Sequence, residues 1–245
     1  STIDRAIEQT EALIAKQQRI KTGLMQDLLT RGIDEHGNLR SESTHKFKDS
    51  PLGRIPVEWD VTTVDQIASI TTGDKDTQDA DSSAEYPFFV RSQKVERISS
   101  YSFDGEAVLT AGDGVGAGKV FHYIKGRFDF HQRVYCMHSF ADDMIGYYFF
   151  CFFQSHFMKR VAQFSAKGSV ESVRRHMIAK MLVPKPEREE QARVVDILQA
   201  SEKTVIDHMD ILEKLRRIKT GLMQDLLTGK RRVTALLDQK DEVNA

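Results

Sequence analysis

The twelve residues RIKTGLMQDLLT occur twice in this chain, at Arg19–Thr30 and again at Arg217–Thr228. Two identical copies so far apart constrain the fold more than composition does. The likeness continues upstream in weaker form: Asp4, Arg5, Ile7, Leu13, Ile14 and Lys16 align with Glu202, Lys203, Val205, Ile211, Leu212 and Lys214. A related helix is therefore expected at each end, with an unrepeated stretch between. Two copies do not make a solenoid, which needs several stacked units. The pattern reads as one insert held between two like supports.

The first support, residues 1–32, carries apolar residues at Ile3, Ile7, Ile14, Ile20, Leu24 and Leu28. Steps of three and four and their sums put these on one helix face. Gly32 suits the left-handed position that ends a helix. Residues 33–50 are polar and read as a linker. From 51 to 185 the pattern changes. Short β-forming runs at 88–90, 107–110, 119–124 and 133–137 are punctuated by glycines. A helix is expected from an N-cap at Asp142 to about Phe164, apolar nearly all round and hence buried. A helical turn at Ser172–His176 and a strand at Ala179–Val183 close this region. After Pro184 and Pro186, residues 186–230 predict a second long helix, and 231–245 a polar tail. Its seam is read as Val195, Leu198, Val205, Met209, Leu212, Leu215, Ile218, Leu222 and Leu226, a coiled-coil spacing. The expected fold is an α/β (α+β) globule flanked by two long helices that pair antiparallel. The expected pairing and subunit interface comprises Ile7, Ile14, Gly23, Leu24, Leu28, Leu198, Met209, Leu212, Gly221, Leu222 and Leu226. Gly23 and Gly221, at matching places in both copies, suggest a close backbone approach, either to the other helix or to a partner protein.

Chemistry enters by elimination. GDGVGAGK at 112–119 is not a phosphate-binding loop, because Asp113 stands where the first glycine belongs and Val120 where a metal-holding hydroxyl belongs. His131, Cys136 and His138 do not share one strand face and lack a fourth ligand, so no metal and no cofactor is expected. The two cysteines form no CxxC and suit a reducing cytoplasm. The most apolar run, 144–153, is too short for a membrane span. No catalytic constellation assembles. The chain opens without Met inside the repeated element, which suggests a piece of a longer protein or a processed one.

The net charge of -1 argues mildly against DNA, but the charge is uneven. Between Tyr86 and Val183 thirteen Lys and Arg face eight Asp and Glu, although extending the window to Asp60 removes the excess. Arg91, Ser92, Gln93, Lys94 and Arg97 form one concentrated set, and His131, Gln132 and Arg133 another. Arg can bond guanine, and Gln adenine, with two hydrogen bonds. Lys167, Ser169, Arg174 and Arg175 suit phosphates, and Lys75 and Lys119 complete the expected DNA-binding set. Each basic residue alone is more simply a solvated charge; the set carries the hypothesis. The competing reading is a protein-binding scaffold without DNA specificity.

Several segments together resemble the specificity subunits of type I restriction-modification systems. They are RIKTGLMQDLLT at both ends, LGRIPVEWDVTTVDQIA (52–68), the run from Tyr86 to Phe121, FDFHQRVY (128–135) and VPKPEREEQARVVDIL (183–198). The resemblance implies two target-recognition domains in the full family pattern, each followed by a long helix. Those helices pair as a spacer between two DNA half-sites. It further implies docking of methyltransferase subunits, a motor nuclease subunit joining the complex, and no catalytic residues here. This chain departs in holding one recognition domain, so it looks like a C-terminal half: central helix, recognition domain, final helix. Two such chains pairing their helices would make a symmetric, two-headed reader.

Overall fold

The computed structural model describes residues 2–163 and 172–229. In chain order the elements are α1 (Thr2–Leu28), β1 (Phe47–Ser50), β2 (Gly53–Pro56), β3 (Asp60–Thr63), α2 (Val64–Ile67) and β4 (Ser69–Thr72). Then come β5 (Tyr86–Phe89), β6 (Glu96–Ile98), β7 (Phe103–Ala111), β8 (Phe121–Phe130) and β9 (Val134–His138). The series closes with α3 (Gly146–Ala162), α4 (Arg175–Ala179), β10 (Leu182–Lys185) and α5 (Arg188–Leu227). The chain forms two compact units, one from Ser1–Gly23 with Leu198–Ala245, the other Leu24–Ile197.

The helical unit pairs α1 with α5 antiparallel. Asp4 meets Lys219 at 2.7 Å, Glu11 meets Arg216 at 2.7 Å, and Lys21 meets Glu202 at 2.6 Å. Partner numbers fall along α5 as they rise along α1. Under the repeat Asp4 corresponds to Glu202 and Lys21 to Lys219, so the first and last pairs are one interaction seen twice. The unit therefore has an internal pseudo-twofold. Exposed ion pairs contribute only about 0–1 kcal/mol each, so they mark register while the seam supplies stability.

The seam of α5 runs through Leu198, Val205, His208, Leu212, Leu215 and Lys219, all buried or half-buried. Its counterpart on α1 is Ile3, Ile7, Thr10, Ile14, Gln17 and Lys21. Ile7, Ile14, Leu198 and Leu212 thus lie where the spacing put them. Met209, Ile218, Leu222 and Leu226 do not, being 45–53% exposed. After Val205 the seam steps three residues to His208 and then four to Leu212. A count of apolar residues alone steps four to Met209 and leaves the seam, because its true occupants include polar side chains whose stems pack while their heads reach water. Gly23 and Gly221 make no close approach within the pair: an added Cβ would meet nothing within 4 Å at either. Leu24 and Leu28 belong to the other unit, where Leu28 and Leu29 are buried.

The Leu24–Ile197 unit is built on a six-stranded sheet of order β4-β9-β7-β8-β5-β6, antiparallel except where β5 runs parallel to β8. This sheet is strongly coiled. β7 pairs Phe103 with Phe128 and Ala111 with Val134, levels that a flat sheet would separate by about 26 Å along β7 and about 10 Å across it. The chain from Phe128 to Val134 reaches at most about 20 Å. Gly105 and Gly126, paired across β7 and β8 and both at positive φ, give the backbone freedom where it bends. The coil brings the end of β4 to the end of β8: a Cβ on Gly73 would lie 1.8 Å from the Phe130 carbonyl oxygen. Lys75 then bridges His131 and accepts a hydrogen bond from the Gln132 amide at 2.8 Å.

Alternation sorts the side chains of the coil. Phe89, Ala107, Leu109, Phe128, Phe130, Val134 and Cys136 fill its inside. Phe121 and Tyr123 point the other way, to α3, where they meet Phe153, Phe157, Tyr147 and Phe150 edge-on or tilted. This helix is largely buried as its composition predicts, but it starts at Gly146 with Ile145 as N-cap, not at Asp142. The short helix near its end is Arg175–Ala179 and the closing strand Leu182–Lys185, each a few residues later than the pattern suggests.

Residues 33–50 are ordered, against the linker expectation. Ile33 and Arg40 are buried, and β1 pairs with β2. The reason is a buried carboxylate. Glu190 accepts from both terminal nitrogens of the Arg40 guanidinium, from the Trp59 indole N–H at 3.1 Å and from the Ile33 amide at 2.9 Å. Gly32 (φ 64°) passes over this node, where a Cβ would strike Glu190 and Trp59. Among the described residues no helix is long and apolar enough to cross a membrane.

Candidate nucleic-acid interface

Four chain turns converge where the coil closes: the end of β4, the end of β5, the β7–β8 loop and the β8–β9 turn. Asp113, on the β7–β8 loop, binds the Arg91 guanidinium at 3.0 Å through Oδ1 and approaches that of Arg133 at 3.4 Å through Oδ2. One carboxylate thus holds two guanidiniums that stay about half-exposed, Arg91 at 45% and Arg133 at 64%. Asp76, after β4, accepts from the Gln132 side-chain amide at 2.8 Å. It caps its own short turn by accepting from the Thr77 amide, which holds its carboxyl below the usual range.

His131 lies inside this arrangement at 2% exposure. Its Nδ1 accepts from the Arg133 amide at 2.9 Å and its Nε2 stands 3.8 Å from Asp76. Burial, followed by the nearby Arg91 charge, pulls its pKa down despite Asp76 and Asp113. The ring is therefore neutral near pH 7, with its proton on Nε2, since Nδ1 is an acceptor. The expectation that His131 faces DNA is corrected: it shapes the turn that displays Gln132 and Arg133.

The structure unites Lys75, Arg91, Gln132 and Arg133. The other expected residues lie apart or serve the scaffold. The Ser92 hydroxyl donates to the Lys94 carbonyl and Gln93 to the Phe121 carbonyl. Lys94 pairs with Glu96, and Arg97 donates to the Glu85 carbonyl. Lys119 is exposed at the end of the β7–β8 loop, and Arg174 and Arg175 are exposed at the start of α4. Ser172, just before them, bridges Asp113. Lys167 and Ser169 fall outside the described residues. Sequence reasoning missed Asp113 and Asp76, which carry no signal except through partners far away in the chain. Among the described residues no group of three or more His, Cys, Asp or Glu could hold a metal ion. Cys136 is buried with its thiol pushed up to about 12 by desolvation.

One unit is thus a coiled sheet that displays two guanidiniums and an amide side by side, and the other is an antiparallel helix pair. Residues 56–217 match the type I restriction modification DNA specificity domain, and the chain belongs to that family. It is 27% identical to the type I restriction enzyme EcoDI specificity subunit of Escherichia coli over 72% of this chain and 38% of that protein. It is 23% identical to the MjaVIII specificity subunit of Methanocaldococcus jannaschii over 96% of this chain and 59% of that protein. The chain thus spans well under two thirds of these relatives. The fold matches the crystal structure of a type I S subunit from M. genitalium with a TM-score of 0.68 at 13% identity, over 92% of this chain and 58% of that one. The HsdS subunit from Thermoanaerobacter tengcongensis matches with a TM-score of 0.56 at 14% identity, over 91% and 56%.

Proposed function

We propose that this chain is a non-catalytic DNA-recognition element of a cytoplasmic type I restriction-modification complex. Its globular unit reads one half-site of double-stranded DNA, and its helix pair is spacer and docking surface. The observation that carries this is the Asp113-held pair Arg91 and Arg133, exposed beside Gln132 on a turn braced by His131. Carboxylates that fix donors before binding reduce the ordering cost of recognition. Gln132 gives its amide N–H to Asp76, which leaves its Oε1 as the acceptor for an adenine or cytosine amino group.

The helix pair supports protein docking. Ile206, Met209, Ile211 and Ile218 are large, apolar and 47–53% exposed, the first two on one flank of α5 and the last two on another; such exposed groups on a spacer suit methyltransferase subunits, with a motor subunit joining through the complex. The repeat adds a specific argument for a second globule. Leu28 and Leu29 of the first copy are buried, whereas Leu226 and Leu227 of the identical second copy are 49% and 83% exposed. The same sequence with one seat filled suits a partner of the same kind, either the other half of a two-headed subunit or a second copy in a homodimer.

The test is DNA affinity of the chain bound to its methyltransferase subunits, across salt, for wild type and Arg133→Ala. A guanidinium reading a base predicts a loss of about 1–3 kcal/mol with relaxed preference at one position. One on a phosphate predicts a uniform loss and a salt slope shallower by about one. Salt-insensitive, sequence-blind binding by wild type would favour the scaffold reading instead.

A further inference from the structure

Val115 is 95% exposed, the most exposed of the large apolar side chains among the described residues. Nothing local explains a β-branched apolar residue there, since turns favour Gly, Pro, Asn, Asp and Ser. The surrounding loop is not loose. The Gly112 amide donates to the Arg133 carbonyl at 2.7 Å, Val173 to Gly112 at 2.7 Å, Ala117 to Gly114 at 3.1 Å and Val120 to Gly116 at 3.0 Å. Ala117 and Val120 are buried. Gly116 is pressed so closely that a Cβ would lie 2.3 Å from the Arg91 carbonyl oxygen, and a Cβ on Gly114 would lie 3.8 Å from the Arg91 guanidinium. The loop is therefore a seated turn that buries its neighbours and displays one isopropyl group. Two residues earlier, Asp113 holds Arg91 and Arg133.

We infer that Val115 is a specificity-determining residue that contacts the 5-methyl group of a thymine, at a base pair adjacent to those met by Arg91 and Arg133. In the major groove the thymine methyl is the one apolar feature of a base edge, and small apolar side chains read it. A guanidinium pair flanking an isopropyl group matches a step in which guanine or phosphate neighbours thymine. This rests on the DNA-reading assignment above and names a feature of the target.

The experiment uses the chain in complex with its methyltransferase subunits. A preferred duplex is selected from a random pool, and each thymine is then replaced singly by deoxyuridine, which removes only the methyl group. Wild type is expected to lose roughly four-fold in affinity at one thymine, the worth of about one buried methyl. Val115→Ser, chosen at an exposed position so that folding is preserved, is expected to bind both duplexes alike, because its hydroxyl replaces the apolar contact. If wild type selects a motif but no thymine shows a Val115-dependent methyl effect, this inference is overturned while DNA reading stands. If no motif is selected, DNA reading fails and the inference with it.

Discussion

The densest commitment at the scale of single residues is Glu190. Its two oxygens receive Arg40, Trp59 and the Ile33 amide in a site where Trp59 is fully buried and Glu190 5% exposed. A buried charge is tolerable when every lone pair is used, and costly once one partner goes. Glu190→Ala leaves the Arg40 guanidinium buried and unpaired. It is predicted to lower the stability of the Leu24–Ile197 unit by about 3–5 kcal/mol, read from the urea midpoint. Arg40→Met with Glu190→Met restores part of this, the remainder being the stranded Ile33 and Trp59 donors. Asp129 shows the same economy without a cation: fully buried, it accepts from Ser100, Ser102 and the Phe130 amide. Neither carboxylate was legible in the sequence. A Glu beside other Glu residues at a helix start looks like a solvated charge that complements the helix dipole. Only the fold shows that Glu190 points inward, to residues more than a hundred positions away. Arg91, Gln132 and Arg133 are singled out by residue type alone, which matches base-reading chemistry, and the structure brings them together; His131 is singled out in the same way but is buried.

The helices and strands carry two predictions of their own. The seam passes through Leu212 and not Met209, so the two substitutions separate. Leu212→Glu is expected to disrupt the α1–α5 pair, seen as lost helicity and a lower melting temperature. Met209→Glu should leave the pair within about 0.5 kcal/mol of wild type, as surface changes do, while weakening any docked subunit. Equal damage from both would misplace the seam. The period-3.6 pattern revealed the existence of both helices; it could not reveal the phase, because Thr10, Gln17, His208 and Lys219 occupy seam positions. In the coiled sheet the β runs were legible, but the coil was not, since it depends on register between distant strands.

Four histidines define a pH response: His122 on β8, His131 on the β8–β9 turn, His138 on β9 and His156 on α3. Burial is the leading cause that lowers the pKa of each. As pH falls through about 6.5 the unfolded chain takes up protons that the folded chain refuses. Stability is therefore full above that pH and falls as pH drops toward the lowered values, by at most about 1.4 kcal/mol per unit for each histidine. The urea midpoint should decline between pH 7 and pH 5.5, and His122→Gln with His156→Gln should flatten that decline.

For the molecule as a whole, the repeat links sequence to assembly. It makes the helix pair pseudo-symmetric, with the Asp4–Lys219 and Glu202–Lys21 pairs as equivalents. It also leaves the paired leucines of one copy, Leu28 and Leu29, buried and those of the other, Leu226 and Leu227, exposed. A 40-residue α5, about 60 Å long, has the reach of nearly two turns of DNA, which suits a spacer between half-sites. The most direct measurement is to express this chain with its cognate methyltransferase subunits and map methylated positions across a genome. The account predicts methylation confined to one sequence motif, split and palindromic when two copies of the chain supply both heads, and altered in the Arg133→Ala variant. Methylation without sequence preference, or a motif unchanged by substitutions at Arg91, Gln132 and Arg133, would contradict it.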